Sequence, residues 1–350
     1  MDSFGLFMRY MNDEYKPLPS SIIAEGIDCF GVAGDRGDVA MVGYGAARYA
    51  LASGNRNEAE KLWPLIEWCL EYCHRQLNVD GVVKSDSDEL ENRFPAGKAN
   101  LCTSSLYYDA LISAAYLGKA LKKEHKQIKS YQDRAAELYK NIDVYFARNV
   151  EGYDTYRYYD GNTVLRSWIC IPLTMGIYEQ AKGTLDGLFS DKLWMENGLL
   201  TQSGTSTYWD RSTLYAFRGA YSCGARDIAT EYLDKYSATR LLGDHVPYAV
   251  EAWPEGNQRH LSTESALYCR IMTEGLFGIR PIALDAFVMT PQLPESWNMM
   301  SLKRVCAFGS IFDIEVKRDK DNKLSVLIKK DHKIVKRSKI MNGKPIEVRI

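Results

Sequence analysis

The sequence predicts a mainly α-helical protein with inner and outer helices, followed by a small antiparallel β-domain. Helical patterns alternate with Gly-, Asn- and Asp-rich breaks through about the first 283 residues. Beyond this point the segments become short, β-branched and alternating, with turn signals such as "DKDN" and "MNGKP". We therefore expect a helical domain over 1–283 and a β-sandwich-like domain over 284–350.

The predicted helices fall into two groups according to how the chain enters them. Helices entered from short turns carry charge on one face, which is typical of an outer layer. Helices entered from long polar loops are rich in small and apolar residues, which indicates an inner layer. The outer group covers 57–77 and 127–148; the inner group covers 101–122, 163–178, 209–223 and 262–276; further helices cover 38–55, 180–189 and 225–238.

Composition excludes several classes of function. The formal net charge is −1, so no basic surface indicates nucleic-acid binding. No apolar run reaches about 18 residues, and the N-terminus lacks the basic and apolar regions of a signal peptide. We expect a cytoplasmic protein from the chain as given, or a periplasmic or secreted one if an N-terminal portion is missing.

The eight cysteines are scattered and contain no CxxC pair, so we expect buried free thiols rather than a metal site or disulfides. His245 and His260 are expected to donate and accept hydrogen bonds, since the HxxxE spacing does not occur here as a zinc helix motif. The sequence therefore predicts no cofactor and no metal, and it leaves the oligomeric state open.

The loop "SDSDELENR" holds four carboxylates within six residues, just before the inner helix over 101–122. Runs of carboxylates like this one usually lie in loops exposed to solvent. Here, however, small and polar residues follow at once, and an acid at the edge of an apolar helix would have its pKa raised by burial and by neighbouring acids. A raised pKa suits a carboxylic proton donor near neutral pH. Asp88 and Glu89 are the candidates in this loop.

A second group of acids lies in 244–281, on the loop that enters the last inner helix. Glu251 and Glu255 stand in a Pro- and Gly-rich stretch, where carboxylates have little structural reason to occur. Trp253 and His260 accompany them as candidate ligand contacts. Glu264 and Glu274 lie within the predicted helix, so we expect them to form structural salt bridges or caps.

Three further loop–helix junctions combine charged and aromatic residues. Aromatic rings suit the C–H face of a sugar, and charged groups suit its hydroxyls; structural alternatives are a helix cap by Asp210 and a core tryptophan beside it. Together the junctions have the composition of a carbohydrate pocket. The candidate contacts are Arg36, Asp38, Arg166, Trp168, Trp209, Asp210 and Arg211.

These segments resemble the six-hairpin glycosidases, a superfamily with an (α/α)6-barrel that includes glucoamylase, α-L-rhamnosidases and maltose-type phosphorylases. "SDELENRFPAGKANLCTSS" resembles their proton-donor motif, with Leu90 and Glu91 in place of Tyr and His, and "YWDRSTLYA" resembles their Tyr-Trp-Arg-Gly segment. The resemblance covers about 33–310. It implies an (α/α)6 toroid, here incomplete with about ten helices, followed by a small antiparallel β-domain.

The resemblance implies an inverting glycoside hydrolase that acts on an oligo- or polysaccharide. Glu89 corresponds to the proton donor, and Glu251 or Glu255 to the base that activates water. Three alternatives stay open: a disaccharide phosphorylase, in which phosphate replaces the water; a non-catalytic carbohydrate-binding barrel; and an all-helical scaffold like a repeat protein. The predicted partner is a carbohydrate, with no nucleic acid and no membrane.

Overall fold

The computed structural model describes residues 1–19, 34–88, 94–242, 249, 252–253 and 262–350, with the backbone alone at 252, 253 and 262. The chain forms two compact units. The first comprises 1–150, 156–163 and 282–284, and the second comprises 151–155, 164–281 and 285–350. The predicted division into domains 1–283 and 284–350 stays a prediction.

The helices of the first unit pack as an inner pair with outer neighbours. The inner helix α2 packs against both α3 and α4, and α4 packs in turn against α5. Small residues on α2 and α4 allow this close approach, while α3 and α5 bury only one face. The helices are α1 (Asp2–Met8), α2 (Asp38–Ser53), α3 (Arg56–Arg75), α4 (Leu101–Leu121) and α5 (His125–Phe146), and strand β1 (Ala147–Val150) follows them.

Local capping signals set the ends of these helices. Gly54 ends α2 in the left-handed region at φ 70°, and the Asn55 side chain then accepts hydrogen bonds from the backbone N–H groups of Asn57 and Glu58. Asn100 caps α4 in the same way through the N–H of Thr103. The predicted tight turn after α2 is thus confirmed, with a cap at each side of it.

The second unit is organised around α8, which is almost wholly buried and packs against α6, α9 and α10. A 3-10 turn (Ser167–Cys170) precedes α6, and π-helical turns follow α9 (Ser237–Leu241) and α10 (Ile271–Leu276). Its α-helices are α6 (Ile171–Met175), α7 (Ala181–Leu188), α8 (Asp210–Ser222), α9 (Arg226–Tyr236) and α10 (Ser262–Arg270).

The continuous helix predicted over 163–178 is wrong. Arg166 is extended, at φ −117° and ψ 138°, and α6 spans only five residues before Gly176 ends it at φ 88°. Pro172 explains the shortening, because proline is tolerated in the first turn of a helix but would break a longer helix running through it.

Short strands link these helices, and the C-terminal residues form antiparallel sheets. A four-stranded sheet has the order β12-β11-β10-β9, and β13 pairs with β8. Alternate residues of β10 and β11 are buried, as the predicted alternation requires. The strands are β2 (Tyr153–Tyr156), β3 (Trp194–Met195), β4 (Gly198–Leu199), β5 (Tyr208–Trp209), β6 (Ala252–Trp253), β7 (Ile279–Ala283), β8 (Ala286–Met289), β9 (Met299–Ala307), β10 (Ser310–Arg318), β11 (Leu324–Lys330), β12 (Lys333–Ile340) and β13 (Ile346–Arg349).

The predicted fold class, a mainly α chain closed by antiparallel β-structure, is confirmed. Ten α-helices occur in the described ranges, and only α1 was absent from the sequence prediction. None of the helices in these ranges combines the length and apolar character needed to cross a bilayer. Cysteine burial is confirmed for Cys69, Cys73 and Cys170 but is wrong for Cys269 and Cys306, which are exposed.

Candidate active site

The acidic loop before α4 is fastened to the residues that precede α2. The carbonyl oxygen of Asp35 accepts hydrogen bonds from the backbone N–H of Asp86 at 2.9 Å and from the Ser85 hydroxyl at 3.0 Å. In return, the Asp86 carboxylate accepts from the backbone N–H of Asp35 at 2.7 Å. This reciprocal pairing leaves little freedom for 85–88, which lead directly into Glu89.

The same loop is tied to the start of α4. The Ser87 carbonyl accepts from the Asn100 side-chain amide at 3.3 Å and from the Ser85 hydroxyl at 2.7 Å. Asn100 therefore caps α4 with its oxygen and holds the acidic loop with its nitrogen. The Asn that precedes the predicted inner helix thus couples the helix start to the position of the acids.

Asp35 is the carboxyl group in the first unit whose proton affinity is most clearly changed. It is 2% exposed. Burial, and next the negative charge of Asp38, raise its pKa to about 6, although the N–H groups of Gly37 and Val39 oppose the shift. Asp35 can therefore hold a proton near neutral pH beside the acidic loop.

The described candidates near Asp35 differ in accessibility. Asp88 is buried at 1% exposure. Arg36 and Asp38 keep 11% and 25% of their side chains exposed, and the Arg36 Nε lies 3.5 Å from the Asp38 Oδ2. Since Asp38 stands in the first turn of α2, the helix dipole also favours its negative charge. Arg36 and Asp38 are therefore the members of this group that a ligand could reach.

In the second unit, the loop that carries Glu251 is joined to the start of α8. Strand β5 pairs with β6, which places Tyr208 opposite Trp253 and Trp209 opposite Ala252. Two segments predicted separately as sugar-binding loops are thus adjacent along their backbones. Residue 252 follows Glu251 directly, so this pairing fixes the chain at the position next to that acid.

Asp210 lies in the first turn of α8, but it does not cap the helix. Its Oδ2 accepts from the Arg240 Nη2 at 3.0 Å, and both side chains are 1% exposed. The N-cap position is Trp209, which makes no side-chain capping bond. Burial, and next the Asp210 charge, raise the pKa of the neighbouring Tyr236 well above its usual range.

Arg211 faces Glu264 of α10. The Arg211 Nε donates to the Glu264 Oε1 at 2.7 Å, with 18% of the arginine side chain exposed and none of the glutamate. In α10 and the turn that follows, Arg270 donates to Glu274 at 3.0 Å. The structural ion pairs expected for Glu264 and Glu274 are therefore confirmed.

The large side chains proposed as sugar contacts in this unit are enclosed by protein. Arg166 is fully buried, and Trp168 and Trp209 are 1% and 2% exposed. The Trp168 ring lies 5.8 Å from the Tyr215 ring, and its Nε1 is buried with no hydrogen-bond partner among the described residues. Trp168 therefore keeps one unused donor, whereas its ring faces serve as core.

The catalytic candidates Glu89, Glu251 and Glu255 lie outside the described residues, as do His245 and His260 and the side chain of Trp253. Their roles stay predictions. In the described part of the chain, no group of three or more His, Cys, Asp or Glu side chains could hold a metal ion.

Sequence reasoning missed three residues that shape these groups. Asp35 lies in "AGDRGD" beside the selected Arg36; its flanking glycines, which let backbone approach closely, were the available signal. Arg240 and Tyr236 lie in an apparently ordinary outer helix and the turn that follows it. Nothing local indicates that they face Asp210.

Comparison with known proteins identifies the fold. No family model and no curated protein matches the sequence. Among solved structures, the chain is similar to a sialidase at a TM-score of 0.66 and 14% identity, covering 93% of this chain and 34% of that one. It is also similar to an α-L-rhamnosidase from Dictyoglumus thermophilum at 0.56 and 13%, covering 99% and 42%.

A third structure matches over most of its own length. The GH63 mannosylglycerate hydrolase from Thermus thermophilus has a TM-score of 0.51 at 11% identity, with 75% of this chain and 84% of that one covered. The chain spans about a third of the sialidase and about two fifths of the rhamnosidase. On this evidence, the chain shares the α/α-toroid fold of these solved structures, with attached β-structure.

Proposed function

We propose that the protein is a glycoside hydrolase that cleaves a glycosidic bond of an oligo- or polysaccharide with two carboxyl groups. The observation that carries the proposal is the attachment of the acidic loop: hydrogen bonds with Asp35 and Asn100 hold 85–88 between the starts of α2 and α4. A general acid requires such a fixed support, because a proton donor must stay within hydrogen-bond reach of the leaving oxygen.

In this mechanism Glu89 gives its proton to the glycosidic oxygen as the bond to the anomeric carbon breaks. Glu251 or Glu255 takes a proton from a water molecule, whose oxygen attacks the anomeric carbon from the opposite face. Inversion calls for carboxyl groups about 6.5–9.5 Å apart, and retention for about 5–5.5 Å. We propose inversion, and therefore the wider separation.

Neighbouring groups support these roles. The carboxylates of Asp38, Asp86 and Asp88 precede or adjoin the donor loop, and like charges raise the pKa of a nearby carboxylic acid. Strand β6 fixes the chain next to Glu251. Arg36, Asp38 and Arg211 are the partly exposed described candidates for hydroxyl contacts, and Trp253 and His260 are proposed as further sugar contacts.

The structural neighbours supply the first substrate class to test. α-L-Rhamnosides are the first to test, since several solved structures similar to this chain are rhamnosidases. We also propose that the catalytic domain spans 1–283 and that 284–350 form an accessory β-domain.

The test is a panel of p-nitrophenyl glycosides with the wild-type protein, Glu89→Gln and Glu91→Gln. Glu91 provides the matched control, because it lies in the same loop two positions away. On an oligosaccharide that the panel identifies as a substrate type, whose leaving hydroxyl must be protonated, we expect Glu89→Gln to lower kcat by a factor of about 100 to 10,000 and Glu91→Gln to change it little. Equal activity in Glu89→Gln and wild type contradicts the assignment. Turnover that requires phosphate indicates a phosphorylase, and sugar binding without turnover indicates a non-catalytic barrel.

A further inference from the structure

A cavity lies within the second unit, and none of the residues that line it was assigned to catalysis above. It measures about 700 Å³ and is bordered by α9, the α10 region and the turn that precedes β9. Carboxylates, hydroxyl groups and aromatic rings line it together. Nothing in the proposed hydrolytic mechanism uses this cavity.

Its most unusual feature is Trp297, which is 38% exposed at the edge. An exposed indole combines a large apolar ring with a polar N–H, and tryptophan is enriched at interfaces for this reason. Trp168 and Trp209, by contrast, are almost completely buried. Trp297 is therefore available as a ring on which a ligand can stack.

The turn that carries Trp297 is held rigidly from two sides. The backbone N–H of Trp297 donates to the Pro294 carbonyl at 3.1 Å and closes the turn. The Arg318 side chain donates to the same carbonyl at 2.7 Å from the sheet. From α9, the Asp227 carboxylate accepts the Glu295 N–H at 2.8 Å. A ring on such a support binds with little loss of conformational entropy.

The opposite walls supply ordered hydrogen-bonding groups. The Tyr221 hydroxyl lies 2.8 Å from the Thr230 hydroxyl, and the Ser237 hydroxyl lies 2.8 Å from that of Tyr268. Asp234 also lines the cavity and forms no ion pair within the described ranges. Hydroxyl pairs and a carboxylate acceptor suit a ligand that has many hydroxyl groups of its own.

We propose that this cavity is a second, non-catalytic carbohydrate site, in which a neutral sugar residue stacks on Trp297 and donates hydroxyl hydrogens to Asp234 and its neighbours. The choice of a sugar rests on the proposed function. A neutral ligand is favoured over a cation because Glu231 already pairs with Lys235 and Asp227 is engaged by the Glu295 N–H. The site would hold one sugar residue of a polysaccharide chain while a glycosidic bond elsewhere in the same polysaccharide is cleaved.

The experiment is affinity electrophoresis of the full chain through gels that contain neutral glucans, xylan, mannan or rhamnogalacturonan, followed by titration of tryptophan fluorescence with matching hexasaccharides. We expect at least one polysaccharide to retard the wild-type protein. Trp297→Ala should weaken binding about tenfold, by loss of the stacking surface. Met299→Ala, which removes an exposed apolar side chain two positions away, should leave binding unchanged.

The Asp234→Asn variant distinguishes a sugar ligand from a cationic ligand, because asparagine keeps an acceptor oxygen but loses the negative charge. Retained sugar binding that is insensitive to salt supports the proposal. Binding of hexalysine that disappears in Asp234→Asn and at high salt overturns it, as does the absence of retardation by every polysaccharide. The binding results do not test the proposed hydrolase activity. That activity is measured separately, as turnover of small aryl glycosides, and Trp297→Ala should equal wild type in it.

Discussion

The carboxylate of Asp210 and the guanidinium of Arg240 form an ion pair 3.0 Å long, with both side chains 1% exposed. The pair links the first turn of α8 to the π-helical turn after α9. Removing one charge from such a pair takes its countercharge away from a buried group, which costs far more than the pair contributes to stability. Asp210, predicted as a sugar contact or a helix cap, therefore has a structural role.

Arg240→Met should lower the free energy of unfolding by about 3–5 kcal/mol, measured by urea denaturation. Asp210→Asn combined with Arg240→Met should cost clearly less than the sum of the two single changes, because no unpaired charge then stays buried. Lys235→Met, in the exposed pair with Glu231, is the control and should cost less than about 1 kcal/mol. Additive effects of the two buried changes would contradict the ion-pair interpretation.

Asp35→Asn should change how stability depends on pH. Because the folded-state pKa is raised from 3.8 to about 6, folding binds a proton between these values, and this group's contribution to stability is lost as pH rises through that window. The loss amounts to about 3 kcal/mol by pH 7. The variant, measured by urea denaturation at pH 4 and pH 7.5, should therefore gain stability relative to wild type at the higher pH.

Asp80→Asn makes the same change at an exposed residue and provides the comparison for Asp35→Asn. Its stability to urea should depend on pH as that of the wild type does. A constant difference between Asp35→Asn and wild type at both pH values would show that folding does not raise the pKa of Asp35.

Gly183→Ala should destabilise the second unit. A Cβ at Gly183 would lie 1.8 Å from the Asp154 carbonyl oxygen, which is backbone and cannot rotate away. We expect a loss of about 3 kcal/mol in thermal or urea unfolding. Gly187→Ala, in the same helix α7, meets its nearest atoms at an ordinary 3.5 Å and should be neutral or stabilising by up to about 1 kcal/mol. Equal effects of both changes would show that helix propensity, not the contact, dominates.

Glu251→Ala and Glu255→Ala should separate the base from its neighbour in the proposed reaction. Loss of the base lowers kcat by a factor of about 100 to 10,000, because no group then activates the water. Azide needs no activation, so it should restore turnover in the variant that lacks the base and yield a glycosyl azide. We expect rescue in Glu251→Ala. Rescue in Glu255→Ala alone assigns the base to Glu255, and full activity in both variants contradicts the mechanism.

What the sequence determined is the local structure and its order along the chain. Periodicity placed the long helices to within a few residues, and Asn55 and Asn100 marked helix starts because a side-chain cap acts within three residues. The change to alternating β-branched segments placed the closing strands. Helix spacing also indicated that Glu264 and Glu274 have structural partners, since both stand inside a helix pattern.

Tertiary structure decided which charges meet and how far each is buried. Asp210 and Arg240 are 30 positions apart, Arg211 and Glu264 are 53 apart, and Asp35 and Asp86 are 51 apart. No local pattern encodes such distances, because packing of whole helices brings these residues together. The same packing buries Trp168 and Trp209 as core and leaves Trp297 exposed. The free energy of a charge or a ring depends on its surroundings in space, and the three-dimensional fold supplies those surroundings.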